Sequence, residues 1–148
     1  MKRLVFILLL LSVCLAGCQE KKQQATTTTN EPIRIAVKTT KQDDMMQLDI
    51  SLTNPNDHSV NVTYPSSQRF QAQLIDAQQH VTYDFEKEQV FTQAIEKDTF
   101  TKHETKQYTV ELPISSLGDS KEVRVSTIRQ FKGASAKQTT DQQMIDSK

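Results

Sequence analysis

Cysteine and glycine are scarce in this chain. Of its 148 residues, two are cysteines, Cys14 and Cys18, and both fall within the first eighteen positions. Downstream of them there is no thiol to form a disulfide, a thiolate metal site or a catalytic nucleophile, so stability must come from an ordinary apolar core. The three glycines, Gly17, Gly118 and Gly133, are too few and too scattered for a Gly-rich phosphate loop, and no G-x-S-x-G elbow occurs. Neither sign of charge dominates: 18 basic side chains face 18 acidic ones. A nucleic-acid partner calls for a basic face, so that class is set aside, as is a polybasic patch for lipid headgroups. The three histidines, His58, His80 and His103, lack metal-binding or catalytic spacing and read as exposed loop residues. With no catalytic constellation, the chain is expected to be non-enzymatic and to carry neither cofactor nor metal.

The most specific feature lies at the start. Lys2 and Arg3 precede an unbroken apolar run, Leu4 to Leu11, extended by Val13 to Leu15. That run is shorter than the roughly 20 residues a helix needs to cross a bilayer. Small residues and a cysteine follow, which is the layout of a cleaved export signal. Leu15-Ala16-Gly17-Cys18 resembles the lipobox of bacterial lipoproteins. The resemblance implies that the Cys18 sulfur is alkylated by diacylglycerol and that cleavage before it makes Cys18 the mature N-terminus, with acyl chains such as palmitate as the anchor. Two buried chains, at about 0.8 kcal/mol per CH₂, hold a protein stably at a membrane where one does not. Residues 1–17 are then a leader, and 131 residues remain. The expected location is the cell membrane, lipid-anchored and facing the extracytoplasmic side.

Beyond Cys18 the chain divides by composition. Residues 18–31 contain a run of four threonines and almost nothing apolar, and read as a disordered tether spanning about 20 Å. From Pro32 a period of two takes over. Ile33, Ile35 and Val37 alternate with polar neighbours, as do Leu48, Ile50 and Leu52, then Val60, Val62 and Tyr64, then Phe70, Ala72 and Leu74. Val81, Tyr83 and Phe85, then Tyr108, Val110 and Leu112, then Val123 and Val125 continue it. Each run has one face for the core and one for water. Turn residues separate the runs: Asp43-Asp44, Asn54-Pro55-Asn56-Asp57, Pro65-Ser66-Ser67, 76–80, 102–105 and 117–120. Crossover helices are lacking, which argues against a parallel sheet. The pattern predicts an all-β fold, an antiparallel immunoglobulin-like sandwich of about seven or eight strands over residues 32–131. Val90 to Phe100 is expected to be extended with one helical turn. Residues 132–148 read as a mobile polar tail.

Asp84, Glu86 and Glu88 recur at period two. On one strand face they would be weak candidates for a cation or small-ligand site, although Lys87 among them fits a merely solvated face. LDISLTNPNDHSVNVTYPSSQRFQAQLID (48–76), then Val81 and Tyr83, then VFTQAI (90–95), and then a turn at 99–104 before a strand ending at Leu112 resemble the BsuPI-type proteinase-inhibitor domain family. Two turns depart from its pattern: Asp76-Ala77-Gln78-Gln79 and Lys102-His103-Glu104 stand where the family has glycine. There is no tryptophan, and Tyr83 occupies the strand that is tryptophan-rich in the family. The resemblance implies a β-sandwich and a proteinase partner, but marks no inhibitory residue. The functional expectation is a membrane-anchored, non-catalytic module binding an envelope or secreted protein, with proteinase inhibition through an exposed loop as the alternative.

Overall fold

The computed structural model describes residues 30–128 and 138–145. Among these residues nine strands run in chain order: β1 Arg34–Gln42, β2 Met45–Thr53, β3 Val60–Tyr64, β4 Phe70–Ile75, β5 Val81–Asp84, β6 Glu96–Phe100, β7 Thr105–Pro113, β8 Glu122–Thr127 and β9 Thr140–Met144. One helical turn, α1, covers Phe85–Glu88. The strands form three antiparallel sheets, ordered β1-β2-β7, β3-β6 and β5-β4-β8-β9. The expected all-β antiparallel sandwich is what the chain forms.

The period-two pattern maps directly onto burial. In β2, every second residue (Met46, Leu48, Ile50, Leu52) is buried, while Met45, Gln47, Asp49 and Ser51 are only partly so. The same alternation places Val60, Val62 and Tyr64 of β3, Phe70, Ala72 and Leu74 of β4, and Val123 and Val125 of β8 in one continuous core with Phe100, Val110 and Leu112. A slip of one residue would turn any of these faces into water, so the register is strongly specified. The β1–β2 hairpin turns at Asp43-Asp44, as the acidic pair predicts, with Asp43 in the left-handed region at φ +50.

Two other left-handed residues fall in the turns at 76–80 and 102–105. Gln79 has φ +68 and His103 has φ +57. Local bonds hold both turns. Asp76 accepts from the backbone N–H groups of Gln78 and His80, each at 2.8 Å. Glu104 accepts from the Thr101 N–H at 2.6 Å.

Asn54, the asparagine of the Thr-Asn-Pro run, is fully buried. Its amide nitrogen donates to the carbonyls of His58 (2.9 Å) and Thr101 (2.8 Å), and its oxygen accepts from the Asn56 backbone N–H at 3.0 Å. One side chain thus ties the turn after β2 to the turn between β6 and β7. Asn56 reaches back to Glu31, with the Glu31 N–H donating to Asn56 Oδ1 at 2.8 Å. Asn30 and Glu31, counted in the expected tether, are fastened to the domain.

The larger departure is at the other end. Thr140–Met144, placed in a mobile tail on composition, is β9, paired with β8 from Ser126↔Thr140 to Glu122↔Met144. Polar residues suffice because backbone pairing provides the strand and Ile145, buried at its end, is the apolar anchor. β9 also reaches a second sheet. Asp141 Oδ2 accepts from the Val37 N–H at 2.9 Å, and Gln143 Oε1 accepts from the Thr39 N–H at 2.8 Å. These two side chains take up two of the N–H groups that β1 turns away from β2.

Candidate protein-binding face

Leu15, Ala16, Gly17 and Cys18, the expected lipobox, lie outside the described residues. Asp84, Glu86 and Glu88 do not share a strand face. Asp84 ends β5 and caps α1, accepting from the Glu86 N–H at 3.2 Å, while Glu86 and Glu88 belong to the helical turn. Residues two apart on a helix point in different directions. Asp84 is taken up by Gln71 Nε2 (2.6 Å) and Gln73 Nε2 (3.3 Å) on β4. Among the described residues no three His, Cys, Asp or Glu side chains converge as a metal site. His80 and His103 are exposed and pair with Asp76 and Asp57. His58 is half-buried rather than exposed, with Nε2 2.7 Å from Asn30 Oδ1.

The feature that stands out is the segment 89–95. The helical turn expected within 90–100 sits earlier, at 85–88, and Glu96–Phe100 is strand β6. Between them the backbone is irregular yet fastened. The Ser67 N–H donates to the Thr92 carbonyl at 3.3 Å, and the Thr92 N–H donates to Ser67 Oγ at 3.0 Å. Arg69 pairs with Glu96 at the far end. On this frame two large apolar side chains point into solvent: Val90 is fully exposed and Ile95 is 70 % exposed. Phe91, between them, turns inward against Phe85, with ring centroids 5.8 Å apart.

Phe91 begins an aromatic row. Phe85 stacks on Phe70 at 5.2 Å, and Phe70 meets Tyr108 at 5.5 Å. The row runs from the protruding segment across β4 to β7 and borders a groove of about 440 Å³. Burial, aided by the charge of Asp98, raises the Tyr108 hydroxyl above the ordinary tyrosine range. The same cause acts more strongly on Tyr64.

The sequence singles out VFTQAI as a recognisable segment but does not tell which of its apolar residues face water. Val90, Phe91 and Ile95 have the same hydrophobic character. The Ser67–Thr92 bonds, formed between residues 25 positions apart, decide their directions.

The fold and this face define a class: a β-sandwich that presents a fastened loop with two exposed apolar side chains beside a groove lined by aromatic residues together with Arg69 and Glu111. The sequence profile of the BsuPI family, described as intracellular proteinase inhibitor, matches residues 33–127, and the chain belongs to that family. The match begins earlier than the resemblance seen in the sequence, taking in β1 as well. A search of curated proteins finds no match. Among solved structures, the fold is similar to a penta-heme cytochrome c552 from Thermochromatium tepidum, at 9 % identity and a TM-score of 0.48. That similarity covers 76 % of this chain and 39 % of the cytochrome, so the chain spans about two fifths of that protein's length. A likeness this distant carries no argument about activity.

Proposed function

We propose that this chain is a non-catalytic binding protein, held at the outer face of a membrane by a lipid on Cys18, whose partner is a proteinase contacted by the segment 89–95. The observation that carries this reading is the exposure of Val90 and Ile95 on a segment hydrogen-bonded to the β3–β4 turn. Exposing two such side chains on one short segment loses roughly 1.5–3 kcal/mol of burial for each, and a partner that covered them would recover it. A fastened backbone also loses little entropy on binding, so more of the contact energy appears as affinity. Membership of a proteinase-inhibitor family supports a proteinase as the partner. The lipobox-like run Leu15 to Cys18 supports an extracytoplasmic one, although the family is described as intracellular proteinase inhibitor.

The test is titration of the full chain, in detergent, against a panel of secreted serine proteinases. Stoichiometric loss of activity is expected for at least one, and the double variant Val90→Asp, Ile95→Asp should lose inhibition by at least a hundredfold while its melting temperature stays unchanged. Unaltered proteinase activity at large molar excess would overturn the reading. For the anchor, Cys18→Ser should abolish membrane fractionation. A processed Cys18→Ser chain still sedimenting with membranes would refute it.

A further inference from the structure

The open side of β7 carries a second, separate inference. Backbone direction in the β1-β2-β7 sheet follows from β1. Val37 and Thr39 turn their N–H groups toward β9, so Ala36, Lys38 and Thr40 face β2. Their partners are Ser51, Asp49 and Gln47. By the alternation of antiparallel ladders, Met46, Leu48, Ile50 and Leu52 then face β7, opposite Leu112, Val110, Tyr108 and Lys106. The bonds at the two ends agree: Asn54 N–H to the Glu104 carbonyl at 2.9 Å, and Ile114 N–H to the Asp44 carbonyl at 2.8 Å. It follows that Gln107, Thr109 and Glu111 turn their N–H and C=O groups outward. Among the described residues no backbone or side-chain group bonds to those three N–H groups. The outward ladder stops at Pro113, which has no N–H to give.

Tyr108 to Glu111 of this edge also lines the groove bordered by the aromatic row. We infer that β7 accepts an extended segment of a partner polypeptide as an added strand, with alternate apolar or aromatic side chains of that segment entering the groove between Tyr108, Phe70, Phe85 and Phe91. A row of unpaired backbone groups is satisfied by another extended backbone, and adjoining pockets for alternate side chains supply selectivity. A second copy of this chain fits less well. On its own β7, Tyr108 and Val110 already pack into its own core, and the side chains left outside are Thr105, Gln107, Thr109 and Glu111. It could complete the ladder but would bring nothing apolar for the groove. The inference shares with the proposed function a polypeptide partner and the inward-facing Phe91, and it does not use Val90 or Ile95.

Hydrogen exchange of the full chain in detergent tests it, with the blocked peptide acetyl-Thr-Phe-Thr-Phe-Thr-amide as the probe. With peptide in excess, exchange over 105–113 should slow at least tenfold, while exchange over 34–42 stays the same. The same peptide with alternate amides N-methylated, unable to complete a ladder, should protect nothing. Thr109→Pro removes one outward N–H without touching the backbone bonds to β2, losing only the exposed Thr109 Oγ1 bond to Asp49 Oδ1 at 3.3 Å, and should abolish protection with the fold retained. Val90→Asp should leave peptide protection intact even where proteinase inhibition is lost, which separates failure of this inference from failure of the proposed function. No protection at millimolar peptide, or equal protection by the N-methylated peptide, overturns the inference. A peptide-independent dimer that Thr109→Pro disperses would overturn it in favour of self-pairing.

Discussion

The two outer edges of one sheet, β1 and β7, are treated in opposite ways. Each is nine residues long and pairs with β2 through its whole length. The outward N–H groups of Val37 and Thr39 on β1 are met by Asp141 and Gln143, whereas those of Gln107, Thr109 and Glu111 on β7 have no partner among the described residues. A free edge invites unwanted pairing, and proteins commonly blunt it. Here one edge is closed by side chains of a strand from another sheet. The other stays open beside an aromatic groove and a protruding apolar segment. The closed side is the way the chain holds itself together, and the open side is where it has backbone and apolar surface to offer.

Proline substitution along β7 is the sharpest way to break this contrast. Val110→Pro should destabilise the domain by about 3 kcal/mol or more, since its N–H belongs to the ladder with β2, whereas Thr109→Pro next to it should cost under about 1 kcal/mol. Urea unfolding of the pair checks this, and equal losses would mean that the assigned backbone directions are wrong. Asn54→Ala comes next. It removes the buried amide that sets where β7 begins and strands the Thr101 and His58 carbonyls, at an expected cost of about 2–4 kcal/mol by the same measurement.

Opening the closed edge should cost less. The double variant Asp141→Ala, Gln143→Ala leaves two half-buried N–H groups without protein partners, for a loss of about 1–2 kcal/mol. Its amide exchange at Val37 and Thr39 should then approach that of Thr109, and its tendency to aggregate should rise. If exchange at those two amides does not change, the side-chain caps are not what closes the edge.

The smallest effect near neutral pH concerns the tyrosines flanking the open side. Burial raises the hydroxyl pKa values of Tyr64 and Tyr108 above the ordinary value of 10.0. The folded state therefore holds these protons more tightly than the unfolded one. The associated stability is fully present below pH 10 and is lost as pH rises through the folded-state values. Thermal unfolding between pH 9 and 12 should show stability falling with pH, and Tyr64→Phe should flatten that decline while changing little at pH 7. An unchanged slope in Tyr64→Phe would assign the alkaline loss to other groups.

How much of this was legible in advance varies by feature. The strands with an apolar stripe, from Ile35 to Val125, could be placed because a period of two is a local signal. The Asp43-Asp44 tip and the turns at 76–80 and 102–105 were marked by their residue types. β9 could not be seen, because Thr140–Met144 has no apolar stripe and its pairing depends on β8, 14 to 22 positions away. Asp84, Glu86 and Glu88 looked like one face because strand periodicity was carried four residues past the end of β5. The cap at Asp84 starts a helical turn and breaks that period. The two glycine-free turns read as departures from the family pattern, yet their backbones still adopt the left-handed geometry, at Gln79 and His103.

By itself, then, the sequence determined an all-β chain with a cysteine-free core, the register of each face and the family to which it belongs, because alternation and turn chemistry act over a few neighbouring residues. Tertiary structure alone decided which edge of the sheet is closed, which apolar residues of 90–95 face water and where the aromatic row leaves a groove. Those outcomes depend on bonds such as Thr92 to Ser67 and Val37 to Asp141, between residues 25 and 104 positions apart, and no local pattern encodes such partners.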